Sequence, residues 1–160
     1  SAAIRPGGRG QPASRADHAA RLLLARMDLW DGLSHEDHEM LCALPSPHGP
    51  LFVWLDHQFH DHGALAWGAL RDELTGREFE ALALRLMTDT LSITPTAASP
   101  DDPGETRREL WDVITRMHLD QVEAMKSQIA AQASTDTAAR ERFQALNVRQ
   151  IELKASLSKS

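Results

Sequence analysis

The stretch that decides the fold runs from residue 103 to residue 160: PGETRRELWDVITRMHLDQVEAMKSQIAAQASTDTAARERFQALNVRQIELKASLSKS. After Gly104 it contains neither Gly nor Pro, so nothing interrupts a helix over 103–132, ~40 Å long at the usual rise. Asp102-Pro103-Gly104-Glu105 supplies a cap, a proline at the first helical position and a carboxylate at the third. Leu110, Ile114, Met117, Gln121, Met125 and Ile129 recur at steps of three and four, the narrow seam one helix shows to a single neighbour. Ser134-Thr135-Asp136-Thr137 makes a short turn, so a second helix over 136–158 must fold back antiparallel. Its seam is Phe143, Leu146, Gln150, Leu153 and Leu157. At about 100° per residue, Gln150 falls in the middle of that apolar stripe, while Val148 and Ile151 project from another side. A two-helix hairpin cannot bury two faces of one helix. An apolar face is left for a partner, either the protein's own body or another chain.

Working back toward the N-terminus, helix-start chemistry recurs. Ser14-x-x-Asp17, Ser34-x-x-Asp37 and Thr75-x-x-Glu78 each place a hydroxyl residue three before a carboxylate, the pattern that satisfies orphan N–H groups of a first turn. Thr75 is the strongest of the three, because Leu74 and Phe79 stand where a hydrophobic staple would sit. Gly32, the run Pro45-Ser46-Pro47-His48-Gly49-Pro50, Gly63, Gly76 and the stretch 94–103 act as stops. The spacing predicts helices over 14–29, 34–44, 50–62, 64–73, 75–92, 103–132 and 136–158. Val and Ile together number only nine, and no alternating run bounded by hairpin turns is present. The expected fold is all-α: a multi-helix bundle over 14–102, then a helical hairpin over 103–160. Residues 1–13, Gly/Pro-rich with one large aliphatic side chain, read as a flexible linker.

Composition narrows the function. The 160 residues carry a formal charge of −6, which argues against nucleic acid as the main partner, since duplex binding rests on phosphate neutralisation by Lys and Arg. The charge is unevenly spread: residues 16–104 hold five Lys and Arg against fifteen Asp and Glu, whereas residues 137–160 hold five against two. One module with two different surfaces is implied. No apolar run approaches the ~20 residues of a spanning helix, and no signal-peptide pattern opens the chain. Cys42 is the single cysteine, which rules out an internal disulfide and fits a reducing, cytoplasmic compartment. The opening Ser1-Ala2-Ala3, with no Met before it, leads us to expect a domain of a longer polypeptide.

No set of residues declares a reaction. His57, His60 and Asp61 share one helix face at i, i+3 and i+4, a spacing that can present metal ligands. The plainer reading is a polar face opposite the core residues Leu51, Phe52, Leu55 and Phe59. His35-Glu36-Asp37-His38-Glu39 has Glu39 where the zincin pattern needs its second His. Cys42 lies between Leu41 and Ala43 with no base within three positions, which suits a small buried hydrophobe better than a nucleophile. Trp30, Trp54, Trp67 and Trp111, spread over separate helices, read as core. Arg21 is expected to pair with Asp17 at i, i+4.

The layout resembles the C-terminal helicase-binding domain of the bacterial DnaG-type replicative primase, from about Ser14 to the end. The likeness is carried by Arg21-Leu22-Leu23-Leu24-Ala25-Arg26-Met27-Asp28-Leu29, by Leu51-Phe52-x-x-Leu55 after the proline-rich loop, by the long helix from Leu110-Trp111, and by Arg140-Glu141-Arg142-Phe143-Gln144-Ala145-Leu146-Asn147-x-x-Gln150. The resemblance implies a domain without chemistry or cofactor of its own, within a parent that is a DNA primase. It implies a hairpin that docks on the hexameric replicative helicase DnaB and so brings primer synthesis to the fork. Leu146, Val148, Gln150, Ile151 and Lys154 would be the helicase-binding residues. A second contact, with the acidic tail of single-strand DNA-binding protein, would draw on Arg15, Arg21, Arg85 and Leu86, although Asp17 and Ala20 depart from the basic and larger apolar residues of that pattern. Two rival readings remain at this stage: a small helical metal-dependent hydrolase using His57, His60 and Asp61, and the N-terminal domain of the replicative helicase itself.

Overall fold

The computed structural model describes residues 12–93 and 103–158. Among them every regular element is helical: α1 (Pro12–Ala25), a 3-10 segment (Met27–Gly32), α2 (His35–Cys42), α3 (His48–His62), α4 (Trp67–Glu73), α5 (Glu80–Ile93), α6 (Pro103–Ala133) and α7 (Thr137–Ser158). The chain divides into two compact units, the first ending at Leu110 and the second running Trp111–Ser160, so the division falls inside α6. Pro12 and Ala13 belong to α1 rather than to a linker, and helix start therefore precedes Ser14. The rest of that expected linker, and the proline-containing connection 94–102, lie outside the described residues.

In the first unit, α1 supplies the central stripe. Ala16, Ala19, Ala20, Leu23 and Leu24, at i, i+3, i+4, i+7 and i+8, are all buried, the width of stripe a core-facing helix needs. The three alanines let neighbouring backbones come close, and α1 packs on α5 and on α3. From α3 come Leu51, Phe52 and Leu55, and from α5 Ala83 and Leu86, each essentially inaccessible to solvent. Truncating one such leucine to alanine costs about 2–5 kcal/mol.

The predicted helix 14–29 breaks at Arg26, whose backbone (φ −132°, ψ 74°) is not helical. Arg26 turns its fork onto Asp28, with Nε donating to Oδ1 at 2.9 Å and Nη2 to Oδ2 at 2.8 Å. Residues two apart cannot face each other on an α-helix, so this pair requires the break. The 3-10 geometry that follows buries Met27, Leu29 and Trp30 together. Trp30 then organises its surroundings: its ring stacks on His38 at 4.2 Å and faces Phe52 at 6.2 Å. Its Nε1 donates to Asp56 Oδ1 at 3.0 Å, and its carbonyl bonds His38 Nε2 at 2.8 Å.

Other boundaries move for local reasons. The Ser34 capping box forms as the sequence predicts, with Asp37 N donating to Ser34 Oγ and Ser34 N to Asp37 Oδ2, both at 3.1 Å. The Thr75 box does not form. Gly76 adopts φ 86° and donates to Glu80 Oε1 at 3.1 Å, so α5 begins five residues later than the Thr75 start. α3 begins at His48, before Pro50, because a proline in the first turn removes only an N–H that the helix does not use. Trp30 and Trp54 are core, but Trp111 is 54% exposed, since its neighbour Leu110 holds the buried position on α6.

Gly49 carries a steric constraint. A Cβ there would overlap the Leu44 carbonyl and meet that of Cys42 at 3.0 Å. Gly49→Ala is expected to lower unfolding free energy by about 1–3 kcal/mol in urea titration, the usual cost of overpacking. The Arg26 hydrogen bond, with its charge and the more distant Arg107, holds the Asp28 carboxyl below the usual carboxylate range. A lowered carboxyl contributes stability above its unfolded pKa, about 3.9, and loses it as pH falls through the folded value. Asp28→Asn should therefore destabilise the protein by about 0.2–1 kcal/mol at neutral pH. The gap to wild type should close in melts carried out at progressively lower pH.

Candidate interaction surface

The hairpin is closed by a turn whose polar groups are paired one by one. Thr135 N and Asp136 N donate to Gln132 O at 3.1 and 2.9 Å. Asp136 Oδ1 accepts from Ala138 N at 3.0 Å, capping α7, while Arg140 Nε donates to Ala133 O at 3.2 Å, satisfying a carbonyl left free at the end of α6. With three residues between the helices, α7 returns antiparallel along the second half of α6.

The α7 seam lies as the sequence predicts. Leu153 is buried, and Phe143, Leu146, Gln150 and Leu157 are half-buried, joined by the buried Ala139 one turn earlier. The α6 seam does so only in part: Leu110, Ile114 and Met117 are buried and Ile129 is half-buried, as expected, but Met125 is 39% exposed and Gln121 is exposed, while Val122 is buried and Lys126 and Ala133 are half-buried. The side of α6 that meets α7 is the row 122, 126, 129, 133, which keeps the expected Ile129 but has Val122 and Lys126 in place of Gln121 and Met125. A lysine occupies its centre. The Lys126 stem runs along the seam and its ammonium stands 5.3 Å over the Phe143 ring, an arrangement open to a long cationic side chain and invisible to a count of apolar residues.

Gln150 answers that lysine. Lys126 Nζ donates to Gln150 Oε1 at 2.8 Å, and Gln150 Nε2 donates to Glu123 Oε2 at 2.6 Å. Both ends of the amide are thus engaged across the hairpin, with charged partners on each side. Half a turn of the helical wheel away, Val148 is 56% and Ile151 68% exposed. Gln144 and Ala155, also exposed, extend the same row by one turn in each direction. The five residues singled out for helicase binding therefore separate: Leu146 and Gln150 line the seam inside the hairpin, whereas Val148, Ile151 and Lys154 are exposed.

The residues of the second contact lie in the first unit. Arg85 Nη2 is 3.7 Å from Asp17 Oδ2, while Asp17 Oδ1 bonds His48 Nε2 at 2.6 Å. Asp17 thus ties α1 to α3 and α5 rather than pairing with Arg21. Arg15 and Arg21 are half-buried on α1, and Leu86, 1% exposed, is a core residue. His57, His60 and Asp61 are exposed on α3, with His60 Nδ1 4.0 Å from Asp56. Among the described residues no group of three or more His, Cys, Asp or Glu is placed to hold a metal ion, and no helix is long and apolar enough to cross a membrane. Burial, with the nearby Asp56 charge, pushes the Cys42 thiol up, so the thiolate that a nucleophile needs is disfavoured.

The chain matches no protein-family pattern, no curated protein and no solved structure.

Gln150→Ala is expected to destabilise the hairpin by about 0.5–1.5 kcal/mol, because it leaves Lys126 and Glu123 without their bridge. Hydrogen exchange of α7 amides, compared with those of α1, checks this: protection should fall in α7 alone.

Proposed function

We propose that this chain is a protein-docking module of the replication machinery, the helicase-binding domain of a DnaG-type primase, with the outer face of α7 as its contact to the hexameric helicase DnaB. The observation that carries the docking role is the exposure of Val148 and Ile151 on a helix whose opposite face is already occupied by α6. Water-exposed aliphatic side chains in a row stabilise nothing in the isolated hairpin, but become a source of binding free energy when a partner covers them. The helicase as that partner follows from the resemblance of residues 14–160 to the primase domain. Lys154 is exposed one turn from Ile151 and adds a positive edge to the apolar row. The acidic first unit and the polar hairpin surface fit a role in holding proteins rather than DNA. On this reading the single-strand DNA-binding protein tail is a secondary partner, with Arg15, Arg21 and Arg85 as the cationic groups at its disposal.

Titration calorimetry of the 160-residue chain against the hexameric helicase of the same cell tests the proposal. Wild type should bind. Val148→Asp combined with Ile151→Asp should weaken binding by about 2 kcal/mol or more, the scale of central contact residues, while the melting temperature stays near that of wild type. Binding that survives the double substitution unchanged would falsify the α7 assignment. Absence of binding by the wild-type chain would remove the helicase as partner.

A further inference from the structure

The outer face of α7 has a row of small and aliphatic residues along its middle, but its two edges differ. At about 100° per residue, Gln144, Val148, Ile151 and Ala155 form the middle row, on the side of α7 opposite the seam, and all four are exposed. Arg140 and Lys154, two heptads apart, lie along one edge of that row. Glu141 and Glu152, about three turns apart, lie along the other. These four charged residues are exposed as well. Arg140 is tied to the hairpin turn through the bond from its Nε to Ala133 O. Lys154, Glu141 and Glu152 have no ion pair among the described residues. No carboxylate stands three or four positions from Lys154, and no base from Glu141, so these charges are not spent on stabilising the helix from within.

Opposite signs on the two edges give the face a direction. A helical ridge that lays an acidic edge beside Arg140 and Lys154, and a basic edge beside Glu141 and Glu152, is attracted on both sides. The same ridge turned end for end meets like charge on both. A second copy of α7, paired antiparallel about a two-fold axis, sets each edge against its own equivalent. Base then stands beside base and acid beside acid, an arrangement that works against self-pairing of this kind.

We propose that the occupant of this face is a helical surface of the helicase whose apolar row is bordered by acids on one side and bases on the other, and that the edges of α7 admit it in one direction only. The inference rests on the docking reading of α7 and adds to it the charge pattern and the orientation of the partner. Charges at the rim of an interface act mainly on encounter and on the rejection of wrong poses. Val148 and Ile151 therefore supply the affinity, and the four edge charges select the pose.

Calorimetric titration of the full chain against the helicase, at low and at high salt, is the test. Glu152→Lys combined with Lys154→Glu keeps the net charge and leaves each edge with one charge of each sign. It should weaken binding about tenfold at low salt, by a margin that shrinks as salt is raised, while circular dichroism stays that of wild type. Glu141→Lys combined with Glu152→Lys makes both edges basic, and should weaken binding too. Tighter binding by that variant would overturn the proposal in favour of a uniformly acidic partner. Wild-type affinity in the charge-exchanged variant, with binding still lost in Val148→Asp with Ile151→Asp, would overturn the edges and leave docking standing. No binding by the wild-type chain would remove docking and edges together. In sedimentation the chain alone should be a monomer. A dimer dispersed by Val148→Asp with Ile151→Asp would give the face to a second copy and overturn the helicase as its occupant.

Discussion

An antiparallel pair of helices can cover only one side of each member, and the second unit consists of such a pair. Every other property of α7 depends on this constraint. Its seam, from Ala139 to Leu157, is spent on α6, so any apolar residue half a turn away must remain in water until something else arrives. Val148 and Ile151 are placed there by nothing more than their spacing from Gln150 and Leu153. Their exposure is therefore a consequence of the hairpin, and the proposed docking role is a consequence of their exposure.

The first unit obeys a different constraint. Three alanines on α1 bring α3 and α5 close, and the 3-10 turn after Arg26 points Trp30 into the resulting interior. Once Trp30 is there its indole N–H needs an acceptor, and Asp56 on α3 supplies one. His38 on α2 stacks on the ring and bonds its carbonyl. One indole thus joins α2, α3 and the end of α1, a job done in the sequence by residues that look unrelated. Asp17 does the equivalent polar work on the other side through His48 and Arg85, which is why it is not available to Arg21.

How much of this was legible depended on whether the signal was local. The seven α-helices among the described residues, the Ser34 box and the α7 seam rest on spacing within one element, and spacing was enough to place them, if not to fix every boundary. The break at Arg26 was not legible because its cause is a side-chain pair at i, i+2 plus a tertiary demand for Trp30 in the core. The Thr75 start failed because Glu80, two residues past the expected partner, captured the Gly76 N–H and moved the first turn of α5. On α6 the expected Leu110, Ile114, Met117 and Ile129 are covered, while Val122 and Lys126 take the places of Gln121 and Met125; a lysine carries no apolar signal, although its aliphatic stem lies in the seam. The outer face of α7 could be read in advance, because Val148 and Ile151 stand apart from the seam by spacing alone.

Gln150 shows how the seam and the outer face are connected. The α7 stripe repeats every seven residues, with Ala139 and Leu146, Phe143 and Gln150, Leu146 and Leu153 in equivalent places. Apolar contact alone would then tolerate a slip of one heptad along α6. Such a slip would bring an apolar residue to the Lys126 ammonium and the Glu123 carboxylate and leave both without the amide that now joins them. A single polar residue in an apolar seam is the device that fixes register in helical pairs, and the bridge from Lys126 through Gln150 to Glu123 supplies it here. The register of α7 in turn sets where along the hairpin Val148 and Ile151 stand. Gln150 thus acts on the outer face without belonging to it: by holding α7 against Lys126 and Glu123 it sets the position of Val148 and Ile151 along the hairpin.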